Sequence, residues 1–225
     1  MQTTGIDWRS NAPARFFNLA EDARRRLLDI ATRHFAERGL EQTSLNEILA
    51  EAGVSKGAYY YYFDDKDDLF ATTLESATDA LLARLPMPPF DRLTQNDFWP
   101  TVERFVGLWA ASFDTSSDLF RVAVQMTEAQ RRSPRFAPVL AKGQAIFRSI
   151  IAPGQRLGCI RKDLSVDILV RLLEANDTVL DGIFLSKHTR VTRQSVASHT
   201  KLVFDTFKRL LIVVPAERKR GRRGG

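Results

Sequence analysis

Apolar residues recur every three or four positions along most of this chain, which is the spacing of amphipathic α-helices. In the N-terminal part this pattern predicts a helix from about Glu21 to Arg38, followed by two short helices, Leu45 to Ala52 and Lys56 to Phe63. A fourth predicted helix, Asp67 to Leu85, ends at a group of prolines that cannot continue it. The N-terminal region is therefore predicted to consist of four helices.

The remainder of the chain shows the same periodicity over longer stretches. The predicted helices run from about Asp97 to Phe113, Asp118 to Arg131, Phe136 to Ile151, Val166 to Leu185 and Thr192 to Val213. The Pro153–Gly154 pair predicts a break after the third of these helices. The sequence therefore predicts an all-α fold, without an internal repeat or a low-complexity segment.

A glycine turn joins two short helical patterns in the stretch TSLNEILAEAGVSKGAYYYYFDDK. Thr43 or Ser44 is placed to cap the first pattern, and Glu47 stands three residues after Ser44, as in a capping box. Gly53 occupies the turn, where the backbone needs a positive φ or a close approach. Ser55 is placed to cap the second pattern, which contains four consecutive tyrosines. This order is typical of a helix-turn-helix, whose second helix enters the DNA major groove.

The run from Arg24 to Phe70 resembles the DNA-binding domain of the TetR family of bacterial transcription regulators. The linked positions that carry the resemblance are Ala31, Phe35, Gly39, Thr43, Ser44, Ile48, Ala52, Gly53, Val54, Ser55, Gly57, Tyr60, Phe63, Lys66 and Leu69. The run covers less than a quarter of the 225 residues. Leu49 and Tyr59 depart from the commoner family pattern, which has a small residue and an aliphatic residue at these positions.

The resemblance implies an N-terminal three-helix helix-turn-helix domain and a larger C-terminal helical domain for ligand binding and dimerisation. The corresponding division is a leader (residues 1–20), the DNA-binding domain (21–66), the effector and dimerisation domain (67–214) and a basic disordered tail (215–225). The implied function is that of a homodimeric repressor whose binding to a pseudo-palindromic DNA operator is modulated by a small hydrophobic or aromatic effector. No cofactor is implied.

The resemblance also assigns roles within the helix-turn-helix. Ser44, Lys56, Tyr60 and Lys66 match positions that contact phosphates, and their hydroxyl and ammonium groups suit that chemistry. The residues expected to face base edges are Asn46, Lys56, Gly57, Tyr61 and Tyr62, next to the capping residue Ser55. Tyr59 and Phe63 are expected to point into the core. For Lys66 the alternative is a local ion pair with Asp67 or Asp68.

The C-terminal domain is expected to hold a pocket with apolar walls and a few polar anchors. The candidate walls are Phe105, Trp109, Phe113, Phe120, Met126 and Phe147, and the candidate anchors are Gln125, Glu128, Asn176 and Asp177. The resemblance places a dimer interface on the last two helices, with Leu172, Ala175, Val179, Gly182, Phe204 and Phe207 as candidates. For all of these residues an ordinary core or surface position remains the alternative.

The net charge of +6 is distributed unevenly. Residues 1–70 contain nine Lys/Arg and twelve Asp/Glu, whereas the tail from Ala216 contains five basic residues and one acidic residue. The predicted DNA-binding domain is therefore slightly acidic, so its affinity for DNA has to come from a few well-placed cations and helix N-termini. The tail could add nonspecific phosphate contacts or serve only solubility.

Several classes of protein find no support in the sequence. Cys159 is the only cysteine, which excludes an internal disulfide and a multi-cysteine zinc site. The three histidines, His34, His188 and His199, do not indicate a metal site, and His34 is expected in the core. Motifs of nucleotide-binding enzymes, serine hydrolases and metalloproteases are missing. With no signal-peptide core and no membrane-spanning run, we expect a cytoplasmic protein that is not an enzyme and has no membrane partner.

Two other functions remain open. One is a helical protein-binding or membrane-surface module that uses the basic tail and the aromatic leader. The other is DNA binding without sequence preference, which strong salt dependence and a lack of operator discrimination would identify. In the leader, Arg9 and Arg15 could touch the DNA backbone, although a loosely packed arm is the simpler interpretation.

Overall fold

The computed structural model describes Phe16 and residues 18–112, 118, 121–122, 133–187 and 191–212. Eight α-helices have their bounds within these residues: α1 (Glu21–Gln42), α2 (Leu45–Ala52), α3 (Lys56–Tyr62), α4 (Lys66–Arg84), α5 (Gln95–Ser112), α6 (Ala137–Leu157), α7 (Val166–Lys187) and α8 (Arg193–Leu211). Short 3-10 helices lie at Phe90–Arg92 and Pro134–Phe136. No strand occurs in this part of the chain, and the predicted all-α fold is confirmed.

The first core lies between α1, α2, α3 and the first half of α4. Its most deeply buried side chains include Leu27, Phe35, Ile48, Tyr59, Phe63, Leu69 and Phe70. The Tyr59 ring stacks on the Phe63 ring with 5.3 Å between centroids, and Phe35 meets Phe70 edge-on at 5.0 Å. The prediction that Tyr59 and Phe63 point into the core is confirmed, and these two rings fix α3 against the rest of the domain.

Phe16, in the leader, is part of this first core. Its ring is fully buried and lies 5.0 Å from that of Phe63 and 6.2 Å from that of Tyr62. The interpretation of the leader as a loosely packed arm is therefore wrong at Phe16. Arg9 and Arg15 lie outside the described residues.

The second core joins α5, α6, α7 and α8, with Phe98, Phe105, Ile151 and Leu173 among its buried residues. Cys159 packs against it as a partly buried side chain. At one end of this core the backbone N–H of Arg161 donates to the carbonyl of Leu211 at 2.8 Å. The C-terminal helix is thereby attached to the loop that follows α6.

The predicted break at Pro153–Gly154 is wrong, because α6 continues through both residues to Leu157 and is capped by Gly158. The local sequence serves a close helix crossing instead. A Cβ atom on Gly154 would lie 2.5 Å from Cζ of Phe98 and 2.6 Å from Cδ1 of Ile160. Only glycine leaves room for these two side chains, and the proline costs the helix one backbone donor without ending it.

Candidate nucleic-acid interface

The helix-turn-helix forms around capped helix ends. The hydroxyl of Ser44 accepts from the backbone N–H of Glu47 at 3.4 Å, and that of Ser55 accepts from Ala58 at 3.2 Å. Gly53 has a φ of 70° and a ψ of 29°, the left-handed conformation that an L side chain rarely adopts. Val54 follows and packs against the first core. These contacts set the angle between α2 and α3.

Charged side chains of α1 neutralise the acidic residues of α2. Glu47 does not complete a capping box, because its carboxylate pairs with Arg38 at 2.5 Å. The Glu51 carboxylate forms an ion pair with Arg33 and accepts a hydrogen bond from His34 Nε2 at 2.9 Å. The hydrogen bond from His34, followed by that from Arg33, holds the pKa of Glu51 below its ordinary value. His34 is buried, as predicted. Its pairing with Glu51 and that of Arg38 with Glu47 show that basic side chains of α1 compensate the negative charges of α2.

One face of α3 is exposed and carries most of the residues predicted to bind DNA. We call Ser55, Lys56, Gly57, Tyr60 and Tyr61 the reading face, and all five are exposed. Tyr60 and Tyr61 are 57% and 53% exposed, whereas the neighbouring Tyr59 is fully buried. The reading face therefore presents two phenol hydroxyls, an ammonium group and, at Gly57, backbone that its own residue leaves uncovered by a side chain. Asn46 is also exposed, on α2.

Tyr62 and Lys66 are placed differently from the reading face. Tyr62 is partly buried and meets the ring of Phe16. The Lys66 ammonium donates to the carbonyls of Glu41 at 3.2 Å and Thr43 at 2.9 Å, at the end of α1. The alternative of a local ion pair for Lys66 is therefore wrong, because the carbonyls at the α1 terminus take its hydrogen bonds. Sequence spacing gave no signal for this contact, which joins residues far apart in the chain.

The junction of α3 and α4 is tied to the C-terminal half through Asp65. Its carboxylate caps α4 by accepting from the N–H of Asp68 at 3.0 Å, and its carbonyl accepts from the Tyr59 hydroxyl at 2.6 Å. Arg135, just before α6, pairs with the same carboxylate. This hydrogen bond is the main reason that the pKa of Asp65 lies below its ordinary value. The sequence analysis missed Arg135, because its partner is 70 positions away.

Five of the predicted ligand residues lie in the part of the chain that the structure describes. Phe105 is buried, with its ring 5.7 Å from that of Phe90, and Trp109 and Phe147 pack against the same core. Asn176 is partly buried, and its Nδ2 has no hydrogen-bond partner among the described residues. Asp177 is also partly buried. The other candidates, Phe113, Phe120, Gln125, Met126 and Glu128, lie outside the described residues.

A cavity of about 650 Å³ opens between α5 and α8. Its volume falls within the usual range for small-molecule sites. The described lining includes Val106 and Ala110 on α5 and Val196 and Phe204 on α8, but none of the predicted walls or anchors. Sequence reasoning missed this cavity because its charged residues, Glu103 on α5 and Arg193 and Lys201 on α8, stand among small residues on helices far apart in the chain.

The predicted dimer residues divide into two groups. An exposed apolar stripe, comprising Ile168, Leu172, Ala175, Val179, Gly182 and Ile183, runs along α7 and includes four of the predictions. Phe204 is buried in the second core, and the Phe207 ring lies 5.6 Å from that of Phe147. Both phenylalanines therefore pack against the core of their own chain, Phe204 as a buried and Phe207 as a partly buried side chain.

None of the helices in the described part of the chain combines the length and the apolar character that a membrane span requires. That same part of the chain contains no group of three or more His, Cys, Asp or Glu residues arranged to hold a metal ion.

Known proteins match both the helix-turn-helix and the whole fold. The model of the family "Bacterial regulatory proteins, tetR family" matches residues 27–73. The HTH-type transcriptional repressor KstR2 of Mycobacterium tuberculosis is 30% identical over 153 residues, which cover 65% of this chain and 74% of that protein.

Solved structures support the fold at lower sequence identity. SmeT, the repressor of the Stenotrophomonas maltophilia multidrug efflux pump SmeDEF, superposes with a TM-score of 0.62 at 20% identity, over 87% of this chain and 96% of that one. FadR from Bacillus subtilis, in complex with stearoyl-CoA, gives a TM-score of 0.60 at 18% identity, over 83% of this chain and 98% of that one.

Proposed function

The chain belongs to the TetR family of bacterial regulatory proteins, and we propose that it is a repressor that reads its operator with the exposed face of α3. It is a DNA-binding transcription regulator that acts as a dimer. The observation that carries the proposal is the placement of the reading face on a helix whose opposite side is fixed by Tyr59 and Phe63. A recognition helix has to be rigid on one side and polar on the other.

The chemistry of the reading face fits the DNA major groove. The hydroxyls of Ser55 and Tyr60 and the ammonium of Lys56 can bind phosphate oxygens, which positions the helix on the duplex. Gly57 has no side chain, and nothing lies within 4 Å of where its Cβ would be. The backbone of α3 can therefore come close to a base edge at this point, with Tyr61 beside it.

The apolar stripe on α7 is the proposed dimer contact. Its residues recur every three or four positions, so they form one continuous face that water would otherwise cover. Burying this face against a second copy places two reading faces in one molecule. In a helix-turn-helix dimer the two recognition helices read half-sites about 34 Å apart on the same side of the duplex.

We further propose that a small hydrophobic or aromatic ligand modulates operator binding. Two features support a ligand in the C-terminal half: the buried Nδ2 of Asn176, which has no partner in the described part of the chain, and the cavity between α5 and α8. The solved neighbour FadR holds stearoyl-CoA, so a related fold accommodates a ligand. The contact between Arg135 and Asp65 offers a direct link from the C-terminal half to the reading face. We propose that the protein works in the cytoplasm by binding alone, without catalysis.

The test is fluorescence anisotropy with DNA from upstream of the protein's own gene and a scrambled duplex, each at two salt concentrations. Tyr60→Ala and Lys56→Ala should each weaken specific binding by roughly 1 to 3 kcal/mol. Lys56→Ala should also reduce, by about one, the slope of the logarithm of the binding constant against the logarithm of the salt concentration. Tyr60→Phe separates loss of the hydroxyl from loss of the ring. Lys162→Ala, on an exposed loop, is the charge-matched control. Wild-type affinity in both α3 variants would refute the proposed reading face.

A further inference from the structure

The cavity between α5 and α8 is a groove with one wall on each helix. Beyond one end of the groove the Lys208 ammonium lies 5.4 Å from the centre of the Trp99 ring. The two helices run antiparallel, because Gln95 and Leu211 both contact the loop after α6. The groove therefore extends from Glu103 and Phe204 towards Ala111 and the first turn of α8.

Small side chains line both walls of the groove. Gly107, Ala110 and Ala111 face it from α5, and Ala197 faces it from α8. A Cβ atom on Gly107 would meet nothing within 4 Å. Larger side chains at these positions would fill the gap between the two helices, where Gly107, Ala111 and Ala197 are exposed. The sequence thus keeps a space of about 650 Å³ between two helices that contact each other elsewhere.

The two ends of the groove carry opposite charges. Arg193 lies at the end formed by the first turn of α8, and Glu103 lies at the other end on α5. Neither side chain makes an ion pair or hydrogen bond within the described part of the chain. Lys201, also on the rim, already pairs with Asp205 at 3.0 Å. Eight residues of α5 separate Glu103 from Ala111, which corresponds to about 12 Å along the helix axis.

We propose that this groove binds an elongated, mostly apolar small molecule with an acidic group at one end and a hydrogen-bond donor at the other. Arg193 takes the acidic group, because a guanidinium donates two parallel hydrogen bonds to a carboxylate. Glu103 accepts from a hydroxyl at the far end, and the small residues between them contact the apolar body. Binding of this molecule in the groove does not depend on the proposed function. Its role as the regulatory ligand rests on the proposed function.

Isothermal titration calorimetry on the full-length protein without DNA tests the site directly. The probes are ω-hydroxyoctanoate, ω-hydroxydecanoate and ω-hydroxydodecanoate, with decanoate and decanol as partial analogues. At least one hydroxy acid should bind more tightly than either analogue. Arg193→Gln should weaken its binding about tenfold or more, and Glu103→Gln should reduce its advantage over decanoate. Arg209→Gln, at the other end of α8, is the charge-matched control and should have no effect.

A blocking variant separates the groove from the rest of the C-terminal half. Ala110→Trp should abolish hydroxy-acid binding, whereas Leu108→Trp, on the exposed side of the same helix, should leave it unchanged. Failure of every hydroxy acid to bind, or equal losses in both tryptophan variants, would overturn the proposed site. Operator binding by the ligand-free protein tests the proposed function separately, because it does not require the groove.

Discussion

The Lys142 ammonium on α6 lies 3.1 Å from the Glu75 carboxylate on α4, and the two side chains are only 3% and 5% exposed. Asp79, one turn further along α4, lies 2.5 Å from the same ammonium. Buried charges cost a large desolvation free energy and persist only where partners compensate for it. This cluster, together with the Arg135–Asp65 pair, fixes the C-terminal half to the helix that follows the reading face.

Lys142→Met should lower the free energy of unfolding by about 3 to 5 kcal/mol, because it leaves the Glu75 carboxylate buried without its ammonium partner. Chemical denaturation followed by circular dichroism measures the change. Adding Glu75→Gln to the Lys142→Met variant should restore part of the loss. Lys201→Met is the control, since the exposed pair of Lys201 with Asp205 should contribute less than about 1 kcal/mol. Equal effects of the two lysine variants would contradict the role given to burial.

Gly154→Ala should destabilise the protein by about 1 to 3 kcal/mol, because the added methyl group overlaps the side chains of Phe98 and Ile160. Gly143→Ala, in the same helix, is the matched control. Nothing lies within 4 Å of a Cβ at Gly143, so alanine there should stabilise α6 by about 0.5 to 1 kcal/mol. Thermal denaturation distinguishes the two signs. Unchanged stability of the Gly154→Ala variant would mean that α5 and α6 can move apart at their crossing.

Local patterns in the sequence predicted much of the fold and of the helix-turn-helix. Caps at Ser44 and Ser55 and the glycine turn at Gly53 are specified by neighbouring residues, so spacing was enough to find them. Helix amphipathicity likewise located α5, α7 and α8. Periodicity identifies the apolar side of a helix but not the element that will cover it. Phe204 and Phe207 were assigned to the dimer interface, whereas both pack against the core of their own chain.

The contacts that the sequence did not predict join distant parts of the chain. Phe16 enters a core built from α1 to α4, and Lys142 meets two carboxylates on α4 more than 60 positions away. The Pro153–Gly154 pair has the composition of a break, yet its conformation is decided by Phe98 and Ile160. Tertiary packing overrides local preference at such positions, and one sequence alone does not encode it visibly.

The ion pair between Arg135 and Asp65 should make the free energy of unfolding fall more steeply at acidic pH. The pKa of Asp65 is lowered in the folded state, chiefly by Arg135, so the pair stabilises the protein above the ordinary aspartate pKa. This contribution is lost as the pH falls through the lowered value. Arg135→Gln should therefore reduce the loss of stability between about pH 6 and about pH 3.

Urea denaturation of wild type and variant at both pH values measures the difference. Arg148→Gln removes an exposed ion pair with Asp167 elsewhere and leaves Asp65 untouched. It should keep the acid dependence of the wild type. An identical pH profile in the Arg135 variant would show that the pair contributes nothing to stability.

Val179→Asp should dissociate the dimer, because Val179 is 59% exposed within the α7 stripe and a carboxylate there would be buried unpaired at the proposed interface. Sedimentation velocity measures the dimer dissociation constant, and operator affinity should fall with it. Leu108→Asp introduces the same charge at an exposed leucine on α5 and should leave the dimer intact. A dimeric Val179→Asp variant would place the interface on another surface.

Gly57→Ala should separate DNA reading from folding. Gly57 lies in α3 with open space around it, so alanine should leave the free energy of unfolding unchanged or raise it by about 0.5 to 1 kcal/mol. Operator affinity should nevertheless fall, because the added methyl group prevents α3 from approaching the base edges. Gly53→Ala should instead lower the free energy of unfolding, because the φ of 70° at Gly53 is unfavourable for alanine. Anisotropy and denaturation measured on both variants decide the point, and a Gly57→Ala protein that binds its operator like wild type would mean that DNA does not approach α3 at this position.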